Sequence, residues 1–230
     1  MGSMRPPPSV PPPPSSGGLR AALSELPLFP LPNAVLFPGG LLPLHVFEPR
    51  YLTMVRDALS TNRALAVVQL VSVVDADDKM QPLIAAIAGA GTIVEHRELP
   101  DGRLNILLRG EARVRLDELP FVPPYRRARA EILHDEPGGV SREDATALLA
   151  VASAFAARVR SQNTEFDFRV PASLPAEKAA DLVGHYLVID AVARQELLEL
   201  RDVRARTQRA MEILANQHVD IAGSRPPASN

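Results

Sequence analysis

Four ionisable side chains at two places in the sequence are the first candidates for chemistry. His45, Glu48 and Arg50 end the apolar, proline-broken run FPGGLLPLHVFEPRY (37–51), and Arg113 lies further on in LRGEARVRL. Acid–base catalysis by such groups also needs a nucleophile or a metal beside them, and the sequence supplies neither. We therefore predict a structural polar cluster in which a Glu–Arg pair holds the turn against the β-barrel that the chain is expected to form. A partly buried pair of this kind is costly to break singly.

Motifs for other reactions are missing from the sequence. Without Cys there is no thiol catalysis and no thiolate metal site. The histidines are His45, His96, His134, His185 and His218. They show no metal-binding spacing, and neither Lys79 nor Lys178 follows a glycine as a phosphate-binding loop requires. We predict no catalytic residue, no metal and no cofactor. A small hydrolase with a metal held by scattered His and carboxylate side chains remains as an alternative.

The composition is that of a globular protein with an aliphatic core. Of 230 residues, 46% are hydrophobic and 4% aromatic, and the net charge is −2. This balance argues against strong nucleic-acid binding, which usually requires a basic domain. The densest basic run, Arg126, Arg127 and Arg129, leaves a local patch open, although a charged edge strand is the more typical interpretation. The absence of Cys favours a reducing compartment, so we expect a cytoplasmic protein.

A membrane span over residues 26–44 is excluded by proline. The segment is uncharged and nearly long enough to cross a bilayer. It contains Pro27, Pro30, Pro32, Pro38 and Pro43. Each proline inside a helix removes a hydrogen bond, so the segment is predicted to form short strands and turns.

Hydrophobic periodicity predicts an N-terminal half made of strands. Residues 42–47 alternate as a strand does, and Pro49 suits the first turn of a helix with Glu48 near its N-cap, where a carboxylate meets free backbone N–H groups. Further strands are predicted at 64–74, 91–99, 103–110, 111–119 and 126–135. Strand after strand with few long helices is typical of a closed or nearly closed antiparallel barrel.

The pattern becomes helical after residues 136–141. Ser141 with Asp144 resembles a capping box, and three apolar stripes follow, the last through Leu200 and Leu214. The predicted fold is thus α+β, an antiparallel β pseudo-barrel followed by a C-terminal helical bundle. The predicted divisions are a disordered Pro-rich tail (1–24), the barrel (25–137), the helical subdomain (138–220) and a disordered tail (221–230).

Three segments together resemble the substrate-binding, N-terminal domain of the Lon protease family, especially its stand-alone bacterial form. They are LPLFPLPNAVLFPGGLLPLHVFEPRYLTMVRDAL (26–59), GAGTIVEHRELPDGRLNILLRGEARVRL (89–116) and RQELLELRDVRARTQRAMEIL (194–214). The resemblance implies a PUA-like pseudo-barrel, a helical bundle and a role in recognising unfolded or damaged polypeptides. The ATPase and Ser–Lys peptidase modules of the full-length protease have no counterpart here, so proteolysis does not carry over.

The resulting hypothesis is a non-enzymatic module that binds exposed apolar segments, with a Lon-type protease as a candidate partner. Phe37, Leu41, Leu42 and Tyr51 are the predicted contributors to an apolar groove near the barrel opening and the barrel–helix junction. PUA-like barrels often bind RNA, so an RNA-binding module through Arg126, Arg127 and Arg129 is an alternative from fold analogy.

Overall fold

Five of the seven strands in the described part of the chain close into a barrel, and the other two are attached to it. The computed structural model describes residues 17–76, 81–164 and 166–223. The strands are β1 (Leu26–Leu31), β2 (Leu41–Val46), β3 (Ala64–Ala76), β4 (Pro82–Ile84), β5 (Ile87–Glu98), β6 (Leu104–Glu118) and β7 (Arg127–Leu133). The order β1-β7-β6-β5-β3 closes because β1 also pairs with β3, while β2 joins β6 and β4 joins β3.

One strand pair differs from the predicted antiparallel arrangement. β1 and β3 run parallel, with Leu28 opposite Ala66. A parallel pair needs a crossover, and here β2 and helix α2 (Pro49–Ser60) lie between the two strands in the chain. The prediction of an α+β fold with a barrel followed by helices is otherwise confirmed.

A single long strand replaces the two strands predicted at 103–110 and 111–119. Gly110 lies inside β6, where the pairing with β5 shifts by one residue between Gly91 and Ala90. A Cβ on Gly110 would lie 2.0 Å from the carbonyl oxygen of Phe37. The glycine therefore permits a close backbone approach and a bulge rather than a turn.

The helical half follows the predicted caps but contains one more break. Its helices are α3 (Arg142–Gln162), α4 (Ala179–Tyr186), preceded by a 3₁₀ turn (Ala176–Lys178), α5 (Ala191–Glu199) and α6 (Val203–Gly223). Ser141 caps α3 by accepting from the Asp144 amide. The predicted third stripe through Leu200 is divided, because Leu200 is extended and the Asp202 carboxylate accepts from the first amides of α6.

Part of the predicted N-terminal tail is ordered. Gly17–Ala22 form a short helix, α1, whose Leu19 and Ala22 are buried in the barrel core. The prediction of disorder over 1–24 is therefore wrong for this helix, because two apolar side chains find a place in the core. Residues 1–16 and 224–230 lie outside the described residues, and α6 continues past the predicted boundary at 220.

Three hydrophobic clusters hold the elements together. One fills the barrel beneath α1, a second lies between the barrel and α2, and the third is the centre of the helical subdomain. Val35 and Phe37, from the loop before β2, belong to the third cluster and so join the barrel to the helices. None of the helices in the described parts of the chain is long and apolar enough to cross a membrane.

Candidate functional site

An apolar groove opens beside the start of α2, and we call it the aromatic groove. Its walls come from β1, from the loop between β6 and β7, and from the β3–β4 pair, and its volume is about 310 Å³. The apolar residues that line it are Pro30, Leu31, Pro32, Tyr51, Leu70, Pro82, Phe121, Pro124 and Tyr125. Of the lining prolines, Pro30 lies in β1 and Pro32 directly follows that strand.

Two tyrosines give the groove an uncharged aromatic floor. The Tyr51 ring lies 4.6 Å from the Phe29 ring, and the Arg50 guanidinium lies 4.6 Å from the centre of the Tyr51 ring. The Tyr125 hydroxyl donates to Asp57 Oδ2 at 2.7 Å. Burial raises the pKa of both Tyr51 and Tyr125, with the adjacent arginines opposing the rise. Both rings therefore stay neutral at physiological pH.

The charged residues of the rim are paired with one another or with nearby groups. Arg126 donates two hydrogen bonds to the Glu118 carboxylate and a third, of 2.7 Å, to the Pro82 carbonyl. Arg50 and Glu48 form an ion pair of 2.8 Å. Because these charges are matched, the groove presents mainly hydrophobic surface, which suits an apolar ligand.

Further apolar side chains lie exposed beside the aromatic groove. Phe121 and Val122 are exposed in the loop before β7, and Val71 and Leu83 are exposed on the β3–β4 pair. Among the described strands, β4 is an edge strand of the sheet. An edge strand offers backbone N–H and C=O groups with which an extended peptide can pair as an added strand.

The predicted binding residues do not share one surface. Tyr51 lines the aromatic groove, but Phe37 is fully buried in the helical core. Leu41 and Leu42 are half-buried on β2, and the Leu41 backbone is held by the Tyr186 hydroxyl and by His185 Nε2. The groove residues Phe121 and Pro124 were missed, because a short loop without periodicity gives no sign of which groove it borders.

The predicted polar cluster is wrong in its grouping. His45 is exposed and bonds to Asn105 at 2.7 Å, and the Glu48–Arg50 pair is also exposed. Glu48 precedes α2 without capping it, since its carboxylate turns to Arg50. Arg113 lies apart from all three and faces the helices instead.

Arg113 belongs to a buried charge network that joins the barrel to the helical subdomain. It donates to Asp181 on α4 and, at 2.8 Å, to the Leu198 carbonyl. Arg206 on α6 is also buried. Its Nε lies 3.1 Å from Asp181 Oδ1, a contact without hydrogen-bond geometry, while Nη2 donates to Asp135 at 2.9 Å. Burial favours a higher pKa for Asp135, but Arg206 and Arg113 outweigh it and lower the pKa.

The alternative sites have limited support in the described part of the chain. Within residues 17–76, 81–164 and 166–223, no three His, Asp or Glu side chains are grouped as a metal site would need. Of the predicted basic run, Arg126 is bonded to Glu118, Arg127 lies against the Tyr125 ring, and Arg129 contacts Asp117 at 3.4 Å. These arginines are therefore engaged within the protein rather than arranged as one open patch.

The fold and sequence match known proteins. A family model described as the ATP-dependent protease La (LON) substrate-binding domain matches residues 25–216. Lon protease 2 of Herpetosiphon aurantiacus is 30% identical over 207 residues, which are 87% of this chain and 25% of that protein. A Lon protease of Roseiflexus castenholzii is 31% identical over 196 residues, covering 84% and 24%. The chain thus spans about a quarter of the length of these curated relatives.

Solved structures share the fold. The Lon N-terminal domain protein from Xanthomonas campestris aligns with a TM-score of 0.59 at 24% identity, over 82% of this chain and 97% of its own. The N-terminal domain of the Mycobacterium avium complex Lon protease gives 0.57 at 14% identity, over 84% and 98%. The family model covers most of the chain, which confirms the resemblance seen in the sequence. This chain belongs to the ATP-dependent protease La (Lon) substrate-binding domain family.

Proposed function

We propose that this chain is a non-enzymatic, cytoplasmic module that binds unfolded polypeptides through exposed apolar segments and works with a Lon-type protease. The observation that carries the proposal is the aromatic groove, with its neutral tyrosine floor and its paired rim charges. Folded proteins bury their large apolar side chains, so a groove of this chemistry selects chains that have failed to do so.

The surroundings of the groove support binding of an extended segment. Leu70 and Pro82, which line the groove, belong to β3 and β4, so one side of the groove is formed by the edge strand β4 and its neighbour. An added client strand would place alternate side chains towards Phe121 and Leu70, while its backbone pairs with β4. Main-chain pairing of this type tolerates many sequences, as a recogniser of unfolded chains requires.

The relatives support the link to proteolysis. The matched region is described as the substrate-binding domain of an ATP-dependent protease, and the matched relatives are Lon proteases about four times as long. We propose that the residues of this chain contribute substrate recognition, rather than cleavage, to proteolysis by a Lon-type protease.

The test is a comparison of one probe protein in two states. Reduced, carboxymethylated α-lactalbumin is permanently unfolded, and native α-lactalbumin is its folded counterpart. We expect measurable binding of the unfolded form in fluorescence anisotropy titrations, and affinity for the native form at least about tenfold lower. Equal or negligible binding of both forms would remove the proposal.

A matched pair of variants locates the site. Phe121→Ser replaces an exposed groove residue, and Val151→Ser replaces an exposed residue of α3 that does not line the groove. We expect Phe121→Ser to weaken binding of the unfolded probe by about tenfold, because a large apolar contact is lost. Val151→Ser should bind as the wild type does. Equal affinities of the two variants would place the site elsewhere.

A further inference from the structure

A second groove lies between the barrel and the helical subdomain, and we call it the junction groove. Its volume is about 520 Å³. Pro32 and Gln69 contribute from the barrel side, and Ile189, Val192, Arg194 and Gln217 contribute from the helical side. The aromatic groove and the junction groove share Pro32, so they lie on either side of the end of β1.

Gln69 brings an unpaired hydrogen-bond acceptor to the junction groove. Its side chain is 8% exposed, and its Nε2 donates to the Pro32 carbonyl at 2.6 Å. This bond fixes the orientation of the amide, because the reverse orientation would bring two oxygens together. The other end, Oε1, is buried and has no hydrogen-bond partner. A buried polar atom without a partner is unusual and calls for a physical explanation.

Arg194 brings an unpaired donor to the same groove. Its Nη2 donates to the Asn33 carbonyl at 3.0 Å and weakly to the Ile189 carbonyl, which holds the guanidinium in place. Its Nε is buried and has no partner. The residues that line the groove therefore include one with a buried unpaired acceptor and one with a buried unpaired donor, and each side chain is anchored by another bond. Both atoms lie beneath the groove surface, so an occupant that reaches them displaces adjacent side chains.

Two aliphatic side chains flank these polar atoms. Ile189 is 67% exposed and Val192 is 63% exposed, at the start of α5. Exposed aliphatic side chains therefore lie beside buried polar atoms that have no partners, so the groove offers both apolar contact and hydrogen bonding. The formal charges on the groove residues Asp190 and Arg194 cancel, so the groove favours an uncharged occupant.

We propose that the junction groove binds the main chain of an extended, uncharged, aliphatic segment of a client polypeptide. Each peptide group carries one N–H donor and one C=O acceptor. The client N–H would donate to Gln69 Oε1, its C=O would accept from Arg194 Nε, and its aliphatic side chains would pack on Ile189 and Val192. The inference rests on the proposed polypeptide-binding function and adds a second contact that reads backbone rather than aromatic or bulky side chains.

The test uses two synthetic peptides that differ only in their backbone N–H groups. One is a terminally blocked peptide of alternating Val and Ser, and the other is the same peptide N-methylated at each Val. Each competes with labelled, carboxymethylated α-lactalbumin for the full chain. We expect the wild type to prefer the unmethylated peptide by about fivefold to tenfold, since methylation removes the donor to Gln69. Gln69→Met should lose this preference, and equal affinity of the wild type for both peptides overturns the inference.

Surface variants separate this inference from the proposed function. Ile189→Ser with Val192→Ser should weaken the unmethylated peptide by about tenfold, whereas Val151→Ser should not. If the wild type does not bind unfolded α-lactalbumin at all, both proposals fail. If it binds, and Phe121→Ser weakens binding while the Ile189 and Val192 changes do not, only the present inference fails. A shift from dimer to monomer on those changes, seen by sedimentation, would assign the face to a second copy and also overturn it.

Discussion

Arg113 on β6 and Asp181 on α4 form an ion pair in which the side chains are 3% and 1% exposed. Arg113 Nη1 donates to Asp181 Oδ2 at 3.2 Å, and Nη2 donates to Oδ1. Two charges removed from water are stable only when they remain together. The pair therefore couples the position of the helical subdomain to the barrel.

Asp181→Asn should strongly destabilise the protein. The change leaves Arg113 buried without its carboxylate and also removes the charge beside Arg206. We expect a loss on the order of 3–5 kcal/mol in the free energy of unfolding, measured by urea denaturation. Asp117→Asn is the matched control, because its partner Arg129 is exposed. It should cost less than about 1 kcal/mol. Similar losses for both variants would show that the buried pair has no special role.

Stability should fall as the pH drops below about 6.5, the ordinary pKa of histidine, and His185 should cause part of this fall. Burial lowers the pKa of His185 in the folded state, with a contribution from Arg194, while the bond to the Leu41 carbonyl opposes it. The unfolded chain therefore takes up a proton that the folded chain excludes. The stabilisation is complete above the unfolded pKa and declines between the two pKa values, by up to about 1.4 kcal/mol per pH unit.

The contribution of His185 can be isolated by difference. His185→Gln keeps an N–H donor for the Leu41 carbonyl but does not titrate. Unfolding free energies of the wild type and the variant, measured between pH 5 and 8, should converge towards acid pH. Parallel curves would assign the acid sensitivity in this pH range to groups other than His185.

Gly110→Ala should destabilise the protein, because there is no room for a side chain. The added Cβ would lie 2.0 Å from the Phe37 carbonyl oxygen, and that backbone also accepts the Gly40 amide. We expect a loss of roughly 3 kcal/mol by thermal or urea unfolding, at the upper end of overpacking costs. Gly17→Ala is the control, since nothing lies within 4 Å of its Cβ position. An unchanged Gly110→Ala protein would mean that the Phe37 segment can move away.

Binding of the unfolded probe should depend only weakly on salt. The rim charges of the aromatic groove are paired within the protein, so apolar contact provides most of the affinity. We expect the affinity to change by less than about threefold between 50 and 200 mM salt, whereas a nucleic-acid complex with many phosphate contacts would lose roughly a thousandfold or more. Anisotropy titrations with unfolded α-lactalbumin and with a single-stranded RNA would compare the two. Tight, steeply salt-dependent RNA binding would favour the alternative function.

Local sequence patterns predicted the elements of the fold well. The alternation around Leu44 gave β2, and Pro49 marked the start of α2. Ser141 marked the start of α3 through a cap made within four residues. Each of these signals acts between near neighbours in the chain, so it can be read without knowing the fold. The break at Leu200 was missed because the apolar stripe continues across it.

The site was predicted only in part, because its contacts join distant segments. Tyr51 was identified, but it meets Phe121 and Pro82 only after β7 and β4 take their places. Arg113 was placed with Glu48 and Arg50, whereas its carboxylate partner is Asp181, far along the chain. Phe37 was predicted to contribute to the binding surface, yet it is fully buried in the centre of the helical subdomain.

The barrel closes through β1, which pairs with β7 at Leu26 opposite Ala128 and with β3 at Leu28 opposite Ala66. During vectorial synthesis β1 is the first of the described strands to emerge from the ribosome, but its β7 partner emerges only after β2 to β6 have been made. A nascent chain that stops before Tyr125 therefore lacks β7, and its sheet is open with the proline-containing strand β1 at one edge. Closure of the barrel requires contacts between distant parts of the chain, so it should limit the folding rate of the newly made protein.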